Sequence, residues 1–143
     1  MNVKTAFLNG DLDAEIYMKQ PEGFIMPGNE NKVCKLIKSL YGLKKAPKQW
    51  HQKFGEVSLS SGFKLNQADK CIYSKFDNSE NGVIICLYVD DMLIFGTNQK
   101  QVDLAKDFFS SSFVMKDMGE ADVILGIRIK RENEGLALPW TQM

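Results

Sequence analysis

The sequence predicts an α+β domain in which helices pack on one face of a mainly antiparallel sheet. Residues 83–96 read VIICLYVDDMLIFG, two apolar runs rich in β-branched and aromatic side chains, which is typical of a hairpin of buried strands. Apolar residues recur at helical spacing after Pro47 and after Asn98. The resulting order of strand, helix, hairpin, helix and strand is that of an α+β fold.

Length and composition are those of one globular domain. The chain has 143 residues, and 44% hydrophobic residues are enough for a core. Eighteen basic and eighteen acidic residues cancel, so the net charge favours no class of partner. Three cysteines without a C-x-x-C spacing indicate reduced thiols, not a disulfide framework or a zinc site. The sequence shows no signal peptide or membrane span, which predicts an intracellular, cytoplasmic protein.

Short strands and loops are predicted for the first part of the chain. Residues 1–8 mix apolar and polar side chains and stop at the turn signal Asn9-Gly10-Asp11, which predicts a short strand. Residues 16–18 and residues 33–40 predict two further strands, and the segments between them contain the proline and glycine residues typical of loops.

Two helices and further strands are predicted for the second part. Pro47 suits the first turn of a helix of about three to four turns. Residues 71–76 predict a strand that precedes the hairpin. Asn98 suits the cap of a second helix, and residues 123–129 (VILGIRI) predict a last strand.

Asp90 and Asp91 are the only charged residues of the hairpin and lie at its tip. Adjacent carboxylates repel each other, more strongly as apolar neighbours exclude water, which favours a bound proton or cation. Mg²⁺ binds one or two carboxylates together with substrate phosphates, and a pair of such ions stabilises both oxygens of a phosphoryl displacement. The alternative is an ordinary solvent-exposed turn, because aspartate is common in turns.

A lysine-rich window lies between Glu30 and Glu56, where no acidic residue occurs. The seven lysines of this window are Lys32, Lys35, Lys38, Lys44, Lys45, Lys48 and Lys53. They either decorate a solvated face or form a footprint for phosphates. In the second interpretation, Tyr41, Trp50 and His51 are candidate contacts to bases or sugars.

Five motifs resemble, in order, the reverse transcriptase of copia-type long-terminal-repeat retrotransposons. They are NVKTAFLNGDL, EIYMKQPEGF, SLYGLKKAPKQW, LYVDD and FVMKDMGEADVILGIRI. The resemblance covers residues 1–137 and implies the ferredoxin-like palm of a Pol polyprotein. It also implies RNA-directed DNA polymerisation by two-metal nucleotidyl transfer. The implied partners are an RNA or DNA template with its primer and deoxynucleoside triphosphates.

The resemblance implies roles for individual residues. Asp90 and Asp91 match the carboxylates that hold two Mg²⁺ ions, for which Mn²⁺ is an alternative. Phe7 matches the aromatic gate that excludes a 2′-hydroxyl, although without the motif it would be interpreted as a core residue. The other nucleotide-binding matches are Gly42, Lys44, Pro47 and Tyr88. The primer-grip matches are Leu125, Gly126 and Ile127. The lysines expected on the nucleic-acid backbone are Lys44, Lys45 and Lys48.

Asn2 stands where the family pattern has its first catalytic aspartate. Asparagine still offers a carbonyl oxygen, but it removes one of the charges that hold two divalent ions together, so we expect weakened metal binding. We expect residues 1–137 to be a partial, inactive palm without fingers, thumb or ribonuclease H, and residues 138–143 to be a divergent tail. The alternative is a non-catalytic retrotransposon-derived α+β module with at most weak nucleic-acid binding.

Overall fold

Two helices and a six-stranded sheet form the body of the fold, which confirms the predicted α+β class. The computed structural model describes residues 1–124, 126–132 and 135–137. The helices are α1 (Ala46–Ser60) and α2 (Gln99–Ser112), and a 3₁₀ helix covers Ala6–Asn9. The strands are β1 (Asn2–Val3), β2 (Tyr17–Lys19), β3 (Val33–Lys35), β4 (Lys64–Leu65), β5 (Ile72–Phe76), β6 (Gly82–Tyr88), β7 (Asp91–Gly96), β8 (Met115–Lys116), β9 (Val123–Ile124), β10 (Ile127–Arg128), β11 (Lys130–Glu132) and β12 (Gly135–Ala137).

The six strands of the main sheet lie in the order β4-β5-β6-β7-β1-β8, and every neighbouring pair is antiparallel. The predicted hairpin forms the centre of this sheet, with a register that runs from Val83 opposite Gly96 to Tyr88 opposite Asp91. β1 lies between β7 and β8, so the start of the chain is next to the hairpin. The pairs β2–β3, β9–β10 and β11–β12 form three small antiparallel sheets.

One face of the main sheet is covered by the helices. Along β6, Val83, Ile85 and Leu87 are buried, whereas the alternate residues Ile84 and Tyr88 are exposed. Because successive strand residues point to opposite faces, this alternation separates a core face from an open face. The buried side chains of α1 and α2 belong to the same apolar cluster as the buried strand residues.

Phe54 lies at the centre of an aromatic core. Its side chain is fully buried, and its ring stacks on Phe109 of α2 with centroids 5.1 Å apart. It meets Tyr73 of β5 edge-on at 5.3 Å, and it contacts the rings of Trp50 and Phe113 at 5.6 and 5.9 Å. Aromatic side chains bury more apolar area than any others, so this cluster holds both helices on the sheet.

Both predicted helices are present. Pro47 lies in the first turn of α1, where its missing N–H leaves no helical bond unmade. Asn98 caps α2 as predicted, because its Oδ1 accepts the main-chain N–H of Gln101 at 3.1 Å. Within the described ranges, neither helix is long and apolar enough to span a bilayer.

The strand predicted at residues 1–8 is shorter than expected. It ends after Val3, because Thr5 has φ 51°, a left-handed conformation that no strand contains, and the 3₁₀ helix follows. The strand predicted at residues 33–40 is also short. Between the pair Tyr17–Lys35 and the isolated bridge Asp11–Lys38, five residues (12–16) face two (36–37), so the ladder cannot continue.

The strand predicted at residues 123–129 is instead two short strands that fold back on each other. Ile124 pairs with Ile127 in antiparallel register, and Gly126 at the reversal has φ 79°. Glycine adopts this conformation without steric cost, which explains why the apolar run turns there. Leu125 and the tail predicted at residues 138–143 lie outside the described residues.

The central place of Phe54 gives a stability prediction. Phe54→Ala should lower the free energy of unfolding by about 3–5 kcal/mol, because it removes a ring from a closed core and leaves a cavity. Denaturant unfolding followed by circular dichroism measures this loss. The control is Leu59→Ala on the same helix, where the side chain is 49% exposed and the loss should stay below about 1 kcal/mol. Equal losses at both positions would contradict the proposed centre of the core.

Candidate active site

The hairpin of β6 and β7 ends in a two-residue turn, with Asp90 in the turn and Asp91 at the start of β7. Tyr88 and Asp91 form the last pair of the ladder, and Val89 and Asp90 make the turn. Val89 has φ 54°, in the left-handed region. A β-branched residue is strained there by roughly 1–3 kcal/mol, and glycine is the usual residue at such a position. The turn therefore depends on surrounding contacts for its shape.

β1 holds the acidic turn from one side. The main-chain N–H of Val3 donates to the carbonyl of Asp90 at 2.7 Å. Asn2 is the register partner of Asp91, and its Nδ2 donates to Asp91 Oδ1 at 3.0 Å. Asn2 and Asp90 are half-buried, and Asp91 is exposed. The structure thus brings together the three positions at which the sequence predicts a metal site.

The oxygen donors of this site are two carboxylates and one amide. Mg²⁺ takes oxygen ligands, and one or two protein carboxylates suffice when substrate phosphates complete its shell. Asn2 turns Nδ2 toward Asp91, so the third position donates a hydrogen bond where an aspartate would add negative charge. In the part of the chain that the structure describes, no three His, Cys, Asp or Glu side chains are grouped to hold a metal ion. The residues therefore fit one weakly held divalent cation better than a bridged pair.

Trp50 is a core residue, so the prediction that it contacts bases or sugars is wrong. Its side chain is only 1% exposed, and its ring packs edge-on against Phe54 and Phe113. The indole Nε1 donates to the carbonyl of Val89 at 2.6 Å. Helix α1 is thereby joined directly to the turn that carries Asp90.

Phe7 lies on the 3₁₀ helix that follows β1. Its ring is half-buried and packs against the ring of Tyr41, with centroids 4.4 Å apart and planes inclined by 37°. Tyr41 is 50% exposed, so this aromatic pair has a solvent-accessible edge. Gly10, just after the 3₁₀ helix, packs so closely on α1 that an added Cβ would lie 3.1 Å from the main-chain nitrogen of Trp50. The segment that carries Phe7 is therefore adjacent to the helix that supports the acidic turn.

Gly42, Lys44 and Pro47 lie at the entrance to α1. The N–H of Leu43 donates to the carbonyl of Leu40 at 3.2 Å, which closes a turn in which Gly42 has φ 93°. Such a φ favours glycine at this position. All three predicted nucleotide-binding residues are exposed to solvent. They are therefore accessible to a ligand at the first turn of the helix.

Acidic residues at positions 11–15 neutralise much of the lysine-rich window. Asp11 pairs with Lys38 and, at 3.4 Å, with Lys53, and hydrogen bonds from these two lysines lower the pKa of the Asp11 carboxyl. Glu15 pairs with Lys35. All of these side chains are more than a third exposed, so each pair adds little stability.

Three lysines were predicted on the nucleic-acid backbone, and their environments differ. Lys45 lies 3.6 Å from Asp13 and is partly neutralised by it. Lys44 and Lys48 have no ion pair with any described residue. Lys32 of the same window is also unpaired, so two of the three open positive charges of the window lie at the start of α1.

The remaining predicted residues are Tyr88, the primer-grip residues and His51. Tyr88 is 54% exposed beside Asp91. Ile127 lies in β10 and Gly126 lies at the reversal between β9 and β10, and Leu125, predicted with them, is outside the described residues. His51 Nε2 lies 2.9 Å from the carbonyl of Lys70 and is bound to the protein's own main chain.

The three cysteines are free thiols. Burial raises the pKa of Cys86, and it also raises that of Cys71, to which the neighbouring Asp69 charge contributes. A raised pKa leaves the thiol protonated at neutral pH, so neither cysteine is an activated nucleophile.

Comparison with known proteins gives a consistent result. The family model described as "Reverse transcriptase (RNA-dependent DNA polymerase)" matches residues 1–142. The Pol polyprotein of transposon TNT 1-94 from Nicotiana tabacum is 51% identical over 132 residues, which are 92% of this chain and 10% of that protein. No solved structure is significantly similar to the chain.

Two further relatives come from yeast and from Arabidopsis thaliana. The putative transposon Ty5-1 protein of Saccharomyces cerevisiae is 35% identical over 94% of this chain and 44% of its own length. The Pol polyprotein of transposon RE1 from Arabidopsis thaliana is 38% identical over 96% of this chain and 9% of its own length. The chain thus spans a tenth to less than half of these relatives. On the match of its residues 1–142, the chain belongs to the reverse transcriptase (RNA-dependent DNA polymerase) family.

Proposed function

We propose that the chain is the palm of a copia-type reverse transcriptase, descended from an enzyme that adds deoxynucleotides to a primer on an RNA or DNA template. The observation that carries this proposal is the juxtaposition of Asn2, Asp90 and Asp91 where β1 meets the hairpin. A site for nucleotidyl transfer needs carboxylates at one accessible point. Here two carboxylates and the third position of the family motif lie together.

Asp90 and Asp91 would hold Mg²⁺, with Mn²⁺ as an alternative. When bound, such an ion neutralises the phosphate charge that develops during transfer. Asp91 is exposed, and its Oδ1 accepts the hydrogen bond from Asn2. The neutral amide supplies no charge to the ion, so we propose that metal binding is weak and that the chain as it stands is inactive.

The aromatic pair of Phe7 and Tyr41 would contact the sugar of the incoming nucleotide. A ring at this place rejects a 2′-hydroxyl by steric clash, which a hydrogen-bonding group could not do. The contact with Tyr41 restricts the movement of Phe7, which such discrimination requires. Gly42, Lys44, Pro47 and Tyr88 would line the rest of the nucleotide site.

Lys44 and Lys48 would contact the nucleic-acid backbone. Both are exposed and have no ion pair with a described residue. Lys45 would contribute less, because Asp13 competes for its charge. Leu125, Gly126 and Ile127 would belong to a segment that contacts the primer.

A non-catalytic role as an α+β nucleic-acid-binding module is the second candidate. The hydrogen bond from Asn2 to Asp91 favours it, because this contact satisfies one carboxylate without a metal. The open lysines at the start of α1 would be sufficient for weak binding that is independent of base sequence.

The metal site can be tested on stability. Asn2→Asp should lower the free energy of unfolding by roughly 1–3 kcal/mol in EDTA, because it replaces a hydrogen-bond donor by a like charge. Added Mg²⁺ should restore more stability in this variant than in the unchanged chain, since binding to the folded state stabilises it. Asn31→Asp in the exposed β2–β3 loop is the matched control, with no response to Mg²⁺. An equal Mg²⁺ response in the variant and the unchanged chain would argue against the site.

The proposed origin of the chain from an active polymerase can be tested in a chimeric protein. The chain is placed between fingers and thumb segments of a related element, with and without Asn2→Asp, and primer extension with Mg²⁺ and deoxynucleotides is measured. The variant with Asn2→Asp should extend the primer faster by orders of magnitude, and Asp90→Asn added to it should abolish extension. Equal extension with and without the reversion would show that the first carboxylate is dispensable.

The two unpaired lysines at the start of α1 give a prediction about salt dependence. Combined Lys44→Ala and Lys48→Ala should reduce the slope of log affinity against log salt by about two for a primer–template duplex, because each lost phosphate contact releases about one counterion fewer. Fluorescence anisotropy over a salt series measures the slope. The control, Lys35→Ala with Lys38→Ala, removes two lysines that are paired with Glu15 and Asp11, and it should change the slope much less. Similar slopes for both double variants would favour the alternative interpretation, in which all these lysines are solvated surface residues that do not contact phosphates.

A further inference from the structure

The turn that carries Asp90 is held by hydrogen bonds to two different elements. The carbonyl of Val89 accepts the indole N–H of Trp50 from α1 at 2.6 Å. The carbonyl of Asp90 accepts the main-chain N–H of Val3 from β1 at 2.7 Å. These two carbonyls belong to the two peptide units on either side of the Asp90 Cα. Their orientations therefore determine the direction in which the Asp90 side chain leaves the main chain.

Val89 is the part of this turn that needs support. Its φ of 54° is uncommon for any residue other than glycine and least compatible with a β-branched side chain. Its side chain is 46% exposed, so side-chain packing alone does not enforce this conformation. Such a conformation persists only where surrounding contacts over-determine it. The bond from Trp50 is the contact that reaches the main chain of Val89 itself.

Trp50 is well placed to transmit a fixed orientation. Its ring is 1% exposed and lies between Phe54 and Phe113, at 5.6 and 5.1 Å between centroids, so the indole has little freedom. A phenylalanine at this position would fill much of the same space but could not donate a hydrogen bond. The contribution of the hydrogen bond can therefore be separated from that of ring packing, by a substitution that removes the N–H and leaves the core filled.

We propose that Trp50 is a positioning residue, whose indole N–H holds the strained Val89 peptide and thereby aims the Asp90 carboxylate at the metal. This inference rests on the proposed function, because it concerns the same carboxylate site. It also connects two parts of that site. Trp50 lies about one helical turn after Pro47. The first part of α1 therefore joins the proposed nucleotide-binding residue Pro47 to the hairpin turn that carries Asp90.

The experiment removes the donor and keeps the ring. Trp50→benzothienylalanine, introduced at this position alone, replaces the N–H by sulfur at nearly constant shape, and Trp50→Phe is the genetically encoded counterpart. The control is Phe109→Leu, which perturbs the same aromatic cluster at a ring that does not contact Trp50. The first readout is the three-bond N–H to Hα coupling of Val89 in the full chain, which reports its φ. The second is Mn²⁺ affinity, measured by paramagnetic relaxation in the Asn2→Asp background.

We expect both Trp50 variants to change the Val89 coupling and to weaken Mn²⁺ binding by about three- to tenfold, which corresponds to one hydrogen bond. Phe109→Leu should change neither quantity. An unchanged Val89 coupling in the benzothienylalanine variant would overturn the inference, whatever happens to the metal and whether or not Trp50→Phe folds. A changed coupling with Mn²⁺ affinity within twofold of the parent would also overturn it.

Failure of the proposed function has a different signature. In that case Mn²⁺ would bind the Asn2→Asp chain no more tightly than a chain that also carries Asp90→Asn, with Trp50 intact. The coupling of Val89 would still respond to loss of the indole N–H. That combination would show that Trp50 supports the turn but that this support does not serve metal binding. The inference as stated would then be overturned.

Discussion

The pairing of β1 with β7 is the constraint on which the candidate active site depends. Asn2 and Asp91 are 89 residues apart in sequence and become neighbours only because β1 lies beside the hairpin. The bond from Val3 to the carbonyl of Asp90 belongs to the same pairing. Most of the buried core residues lie between these two segments in the sequence, so the site depends on long-range contacts of the whole fold and not on the hairpin alone.

Features that depend on neighbouring residues could be predicted from the sequence. The hairpin, the start of α1 at Pro47 and the cap of α2 at Asn98 are encoded within a few positions, by strand composition, a fixed φ and a short side-chain oxygen. Strand lengths were less predictable, because a strand extends only as far as its partner does. Residues 33–40 look like a continuous strand, but the facing segment contains a bulge that their own sequence does not show.

The role of Trp50 shows why part of the site could not be predicted. An aromatic residue in a lysine-rich window suggested a contact with nucleic acid, whereas its spacing of four from Phe54 on one helix is typical of a core. Helical spacing predicts that Trp50 is buried but does not predict what its indole N–H binds, because the acceptor, Val89, is 39 residues away in the sequence. The contact between Phe7 and Tyr41 was hidden for the same reason. Each joins two motifs that were recognised separately.

The carboxylates of Asp11, Asp13 and Glu15 act as counterions that the chain itself supplies. A counterion tethered by covalent bonds is not released when a phosphate approaches, so the lysines it neutralises gain none of the entropy that ordinarily drives nucleic-acid binding. Of the seven lysines of the window, Lys32, Lys44 and Lys48 have no such counterion among the described residues, and two of these three, Lys44 and Lys48, flank the amino-terminal end of α1. The dipole of a helix is positive at that end. The positive potential that remains in the window is therefore strongest at this end of α1, where two of the three unpaired lysines coincide with the helix dipole.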